Sequence, residues 1–158
     1  MKRSDRRILT THVGSLARPH ELLDAMRVRE EGSQDDSTID RLVKTAVLDM
    51  VKRQAECGID VVTDGEQSKL GFYQYLVERF DGMETRPGGL VLPPSWQLEV
   101  DMFPEYYADY FSKYSSDAGP TKANVIVCTG PITYAGHEAV ARDIENLKAA
   151  LGEVDVEE

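Results

Sequence analysis

In STIDRLVKTAVLDMVKRQAECG the apolar residues Ile39, Leu42, Val43, Ala46, Val47, Met50 and Val51 recur at helical spacing, and Gly58 closes the run. Residues three and four apart share one face of an α-helix, so the stretch carries a stripe that must be buried against another element. Ser37 is placed to cap its start, and Gly58 stands where a left-handed C-cap belongs. Directly behind the glycine, IDVVT (59–63) is too short and too β-branched to continue the helix, so it reads as a strand.

The same alternation recurs on both sides of this pair. RILTTHV (7–13) is a short β-branched segment that ends at the turn signal Gly14-Ser15 and reads as strand one. A short helix is expected from about Pro19, followed by a polar loop, and a further helix over residues 67–80 with Phe72, Tyr75, Leu76 and Phe80. KANVIVC (122–128) reads as strand three, TGPITYAG as the loop after it, and His137 to Leu151 as a helix. GEVDVEE then opens with a glycine stop and the beginning of a fourth strand. Asp81 to Pro94, rich in glycine and proline, is either a long functional loop or a hairpin-bearing insertion, and is not read as a domain boundary. PEYYADYFSKYSS (104–116) begins with proline at a first helical turn. It brings Tyr106, Tyr107, Tyr110, Phe111 and Tyr114 close together, for packing against the body of the domain rather than for stacking on a ligand. His20 and His137 read as ordinary helix-start residues.

Strands and helices in turn, with glycine at the junctions, imply an α/β fold with a parallel sheet built from right-handed crossovers. Functional loops in such folds follow the C-terminal ends of the strands. HVGS, TDGEQ and CTGPIT are those loops here, and they are expected to open on one face and bring together His12, Ser15, Asp64, Glu66, Cys128 and Thr129. Asp64 can be a helix N-cap with Glu66 in the favourable first turn, a structural use of acid. Gly65 between them speaks for a site, because it lets the backbone turn sharply or approach a ligand closely. A carboxylate held there can bind an amino group or accept a proton. A metal site from His12, Glu66 and Cys128 is the less favoured alternative, since nothing in the spacing demands a metal.

With 41% hydrophobic residues the chain can form a core, and 18 basic against 28 acidic side chains leave a net charge of −10. That sign speaks against nucleic acid and anionic membranes as partners, and for small molecules or other proteins. The sequence contains no apolar run of about 18 residues. Its basic start lacks the apolar run of roughly 7–15 residues that a signal peptide needs, so a cytoplasmic location is expected. Cys57 and Cys128 lie far apart without a CxxC or HxC pattern, which signals neither a disulfide framework nor a structural zinc site.

TTHVGSLARP, GIDVVTDGEQSKLGFYQYLVERFDG and TGPITYAGHEAVARDIENLKAAL together resemble the amino-terminal half of the catalytic domain of cobalamin-independent methionine synthase. The likeness extends to its short archaeal-type and alkyl-coenzyme M transferase relatives. The resemblance implies a (β/α)8 barrel that binds zinc, coordinates a thiol to it and alkylates the thiolate, with a methyl donor of folate or corrinoid type left open. Zinc lowers the thiol pKa and so supplies a nucleophile at neutral pH. By the same resemblance Val13, Gly14 and Ser15 match the element whose backbone and hydroxyl hold the carboxylate of homocysteine, and Glu66 matches the acid that receives its amino group. No residue is assigned a catalytic step. Asp64 stands where the synthases usually have histidine and His12 where they have threonine, which moves the chain toward less characterised relatives and leaves its thiol open. The family's zinc ligands, a His-x-Cys pair, a glutamate and a second cysteine, belong to the carboxyl-terminal half, so no metal ligand is expected within this chain. A closed barrel takes eight strands and about 200 residues or more. Residues 1–158 are therefore expected to form one truncated domain of about three βα units, open or completed by a second chain or another copy.

Overall fold

A computed structural model describes residues 3–30, 36–87, 92–114 and 124–156. The elements run α1 (His20–Glu30), α2 (Asp36–Glu56), α3 (Phe72–Arg79), β1 (Phe80–Pro87), α4 (Pro94–Met102), α5 (Pro104–Tyr114), β2 (Asn124–Tyr134) and α6 (His137–Leu151). They divide into two compact units, one of Met1–Tyr75 with Gly136–Glu158 and one of Leu76–Ala135.

The first unit is organised by α2. All seven residues of its apolar stripe are buried, and most of them join Leu22 and Met26 of α1, Val62 and Ala150 of α6 in one core. The helix starts at Asp36, so Ser37 sits inside its first turn and the capping position falls outside the described residues. At the other end Gly58 takes φ +77°. Its N–H donates to the Ala55 carbonyl at 2.9 Å, and the Ile59 N–H reaches back to Gln54 at 3.0 Å. These two bonds are a Schellman motif, which satisfies carbonyls that the helix end leaves open and turns the chain into residues 59–63.

The parallel sheet expected from residues 7–13 and 59–63 is reduced to one parallel bridge, Thr11 to Val61. Parallel ladders are normally buried on both faces by crossover helices and flanked by further strands. Here the side chains around Asp60 take over much of the pairing. Its carboxylate accepts from the Thr10 N–H at 2.8 Å, the Thr10 hydroxyl at 3.0 Å and both terminal nitrogens of Arg7.

The second unit corrects the reading of strand three. Residues 124–134 form a single strand antiparallel to β1, with Pro87 opposite Asn124 and Phe80 opposite Tyr134. TGPIT is therefore strand rather than a strand-to-helix loop. Asp81-Gly82, which reads as punctuation in the sequence, is a bulge within the ladder: Asp81 faces Thr133 and Met83 faces Cys128, which leaves Gly82 opposite residues 129–132. Gly82 holds φ +78°, and a Cβ there would lie 2.3 Å from the Pro131 carbonyl oxygen. Within the Asp81–Pro94 segment, residues 81–87 are one strand whose antiparallel partner is residues 124–134, not a neighbour in a hairpin; Pro94 starts α4, and residues 88–91 lie outside the description. Of the helix expected over 67–80, Phe72–Arg79 is helical and Phe80 already belongs to β1.

Helix α4 had no counterpart in the sequence reading; Pro94 sits at its start, where a missing N–H costs nothing. Its Trp96 meets Phe111 of α5 at 6.4 Å between ring centroids, and Tyr107 meets Phe111 at 5.7 Å. The aromatics of α5 thus pack on α4 and on one another, although Tyr106 stays 62% exposed. The side chain of Tyr114 lies outside the description. His20 and His137 begin α1 and α6, and after Leu151 residues 152–154 form a turn and a bend while residues 155–156 have no regular structure, so no strand starts within the described residues.

Candidate functional site

Two loops of the first unit meet at the end of the bridged segments. In Asp64–Gln67 both central residues have positive φ, Gly65 at 59° and Glu66 at 56°, and the Gln67 N–H faces the Asp64 carbonyl at 3.4 Å. This is the φ signature of a type I′ turn, which favours glycine and asparagine at its centre. Glu66 is the only non-glycine residue with positive φ among the described residues. A left-handed conformation costs such a residue about 1–2 kcal/mol, so the surrounding contacts must hold it there.

Those contacts are specific. The Asp64 carboxylate accepts the Glu66 N–H at 3.0 Å, and the Thr63 hydroxyl accepts the Gly65 N–H at 3.2 Å. Asp64 is thus a local turn-former, the structural use of acid, though in a turn rather than at a helix N-terminus. Gly65 approaches protein, not open space: a Cβ would stand 3.0 Å from Leu16 Cβ and 3.1 Å from Met50 Cγ. From the other loop, the Leu16 N–H donates to the Gly65 carbonyl at 3.0 Å. Arg18 donates to the carbonyls of Glu66, at 2.8 Å, and of Lys69. Burial pulls the Arg18 guanidinium below its ordinary pKa and the Glu66 carboxylate pulls it back up. Gln67, fully buried, donates from Nε2 to the carbonyls of Leu16 and Gly65 at 3.2 and 3.3 Å.

At the centre, the Ser15 hydroxyl donates to Glu66 Oε2 at 2.6 Å across 51 residues of sequence. Of the residues singled out in the sequence, this unit brings Ser15 and Glu66 into direct contact, with Asp64 bracing the turn beneath Glu66. Val13 and Gly14 lie in the same loop, with Val13 86% exposed. His12 precedes them, and its buried Nε2 has no hydrogen-bond partner among the described residues.

Cys128 and Thr129 are elsewhere. Both are exposed residues of β2 in the second unit, and the Cys128 thiol donates to the Gly130 carbonyl at 3.3 Å. They do not sit on a strand-to-helix loop, because the segment is consumed by antiparallel pairing. Among the described residues no three His, Cys, Asp or Glu side chains gather to hold a metal ion. Of the trio His12, Glu66 and Cys128, the first two belong to the first unit and Cys128 to the second, and the residues described do not fit a zinc ion. No described helix is long and apolar enough to cross a membrane.

The sequence reading missed Arg18, Gln67 and the Arg7–Asp60 pair, and it also missed Gln54. The last left a signal: Gln54 continues the spacing of Val47, Met50 and Val51, so a polar side chain was placed on the buried face of α2.

Residues 8–95, more than half of the chain, match the family model described as the catalytic domain of cobalamin-independent synthase. That span includes both loops of the site. The chain is 28% identical over 132 residues to a methionine synthase of Sulfurisphaera tokodaii, an alignment covering 80% of this chain and 39% of that protein. It is 32% identical over 75 residues to a methionine synthase of Sulfolobus acidocaldarius, covering 48% of this chain and 22% of the relative. To one from Saccharolobus islandicus it is 31% identical over 75 residues, covering 48% and 23%. The chain thus spans well under half the length of these curated relatives.

Proposed function

The chain belongs to the family of the cobalamin-independent synthase catalytic domain, and on that premise we propose that it supplies the amino-acid anchor of a thiol-alkylating site. The observation that carries this reading is the 2.6 Å contact between Ser15 and Glu66, inside the matched span and exposed on one side.

Glu66 offers a carboxylate to the ammonium of an amino-acid thiol such as homocysteine. A carboxylate accepts several hydrogen bonds, so the ammonium can reach Glu66 while the Ser15 hydroxyl is still bound there. A serine hydroxyl has only one proton to give, and while that proton points at Glu66 it cannot also serve the substrate carboxylate. Binding therefore swaps partners: the ammonium takes over the charge of Glu66, and Ser15, with the backbone of Val13 and Gly14, turns to the substrate carboxylate.

The fold reading that goes with this is a partial (β/α)8 barrel, its first βα units joined here by the Thr11–Val61 bridge and completed by a second polypeptide or another copy of this chain. Zinc belongs to the family chemistry, and its ligands come from that complement, since the residues described here do not provide them. A second reading, a binding subunit without catalysis of its own or a relative of the alkyl-coenzyme M transferases, is favoured by Asp64 and His12, which depart from the synthase pattern.

The test is calorimetric titration of the chain in its native assembly with L-homocysteine and with 4-mercaptobutanoate, which lacks the ammonium. Glu66→Gln is expected to weaken L-homocysteine binding tenfold or more, as fits a charge-assisted hydrogen bond of about 1.5–3 kcal/mol, and to leave the deaminated thiol unaffected. Equal affinity of wild type and variant for L-homocysteine would overturn the reading. The completing partner is tested by mass in solution: a monomer with no co-purifying polypeptide counts against it.

A further inference from the structure

The left-handed turn that presents Glu66 needs an outside support, and the structure shows one in the body of α2. Gln54 is buried, on the face of α2 that also buries Val47, Met50 and Val51. Its side-chain amide grips one residue at both ends: Nε2 donates to the Thr63 carbonyl at 2.8 Å, and Oε1 accepts the Thr63 N–H at 3.1 Å. Nε2 also donates to the Met50 carbonyl of its own helix at 3.2 Å. The amide thus does for Thr63 what a neighbouring strand would do, at the point where the expected sheet is only one bridge wide. Its orientation follows from the network, because the Thr63 N–H requires the oxygen and the Thr63 carbonyl requires the nitrogen.

From Thr63 the constraint passes along short links. The Thr63 hydroxyl holds the Gly65 N–H, the next residue's carboxylate holds the Glu66 N–H, and Glu66 meets Ser15. A buried amide with both ends satisfied is rigid, and losing either end leaves an unpaired polar group in an apolar setting. We infer that Gln54 is the positioning residue that holds Glu66 in its left-handed turn and so aims its carboxylate at the ligand.

Leucine in place of Gln54 keeps the volume and removes both bonds to Thr63 along with the one to Met50, whereas Gln54→Glu keeps the acceptor and loses the donor while it is ionised. In Q54L the backbone coupling constant of Glu66, read by NMR, is expected to leave its positive-φ value. The exchange protection of the Thr63 amide should fall at least tenfold while α2 remains helical. In Q54E the same signature is expected to return as pH falls from about 8 to 5, because burial beside a carbonyl favours the protonated acid that can donate again. Wild type should show no such profile, and a merely space-filling Gln54 would not produce one. If Q54L does not fold, the pH profile of Q54E carries the test alone.

Unchanged coupling and protection in Q54L, or no recovery of Q54E at low pH, would overturn the inference. Its functional arm, an expected tenfold loss of L-homocysteine affinity in Q54L, rests on the role proposed for Glu66. If wild type binds no homocysteine, that role fails, while the coupling constant still decides on Gln54.

Discussion

The two units of this chain are held together by different physics. Every buried hydrophobic residue among the described residues belongs to the first unit, where α1, α2 and α6 close on Leu22, Met26, Val47 and Val51. In the second, α4 has no buried residue, and Leu98, Met102, Phe103 and Tyr106 are more than half exposed. Its order comes from the β1–β2 ladder and from ring contacts between α4 and α5. Burial is non-directional and tolerates exchange, whereas a ladder depends on backbone geometry residue by residue. The candidate site lies in the first unit, where a core supports its loops from α2.

The sharpest way to break this contrast is a pair of substitutions followed by urea unfolding and NMR. Leu22→Ala empties part of the core and should destabilise the first unit by about 2–5 kcal/mol, leaving the cross-strand contacts of β1 and β2 intact at low urea. Gly82→Ala should do the reverse, costing roughly 1–3 kcal/mol for the forbidden φ alone and disrupting the ladder while the α1–α2 resonances persist. If both variants melt both units together, the distinction between core-held and ladder-held regions is wrong.

A smaller effect separates burial from electrostatics within the first unit. The Arg7 guanidinium, then the Thr10 N–H, hold the Asp60 carboxyl well below the usual carboxylate range, against the opposing effect of burial. A carboxyl whose pKa is lower folded than unfolded lends stability above its unfolded value, near 3.8, and that stability is lost as pH falls further toward the folded one. Acid titration should therefore weaken the first unit below about pH 4, and Asp60→Asn should flatten that dependence. A pH dependence identical in wild type and variant would show that Asp60 contributes nothing to the acid limb.

Several features were legible in the sequence because they are local. The stripe of α2 is a matter of period, and its burial followed as read. Gly58 and Gly65 announced backbone conformations that other residues resist. Helices at His20, Pro104 and His137 followed from proline placement and spacing. Glu66 and Ser15 were singled out by their place in two strand-to-helix loops and again by the resemblance their motifs carry, and the structure sets them 2.6 Å apart. Strand three is a strand from residue 124, but its expected parallel pairing and its end at residue 128 failed for an equally physical reason. An apolar β-branched run such as 124–128 pairs in either direction, and its partner, residues 80–87, carries glycine and proline that look like a loop.

The sequence by itself determined the left-handed turns at Gly58 and Gly65 and which face of α2 is buried, since these follow from side-chain period and from the φ range each residue tolerates. Only the tertiary structure decided that β1 pairs with β2, that Arg7 and Thr10 close on Asp60, and that the amide of Gln54 takes the place of a strand beside Thr63. Hydrogen-bond groups on the backbone must be satisfied somewhere, but which distant group satisfies them depends on geometry that no local pattern encodes.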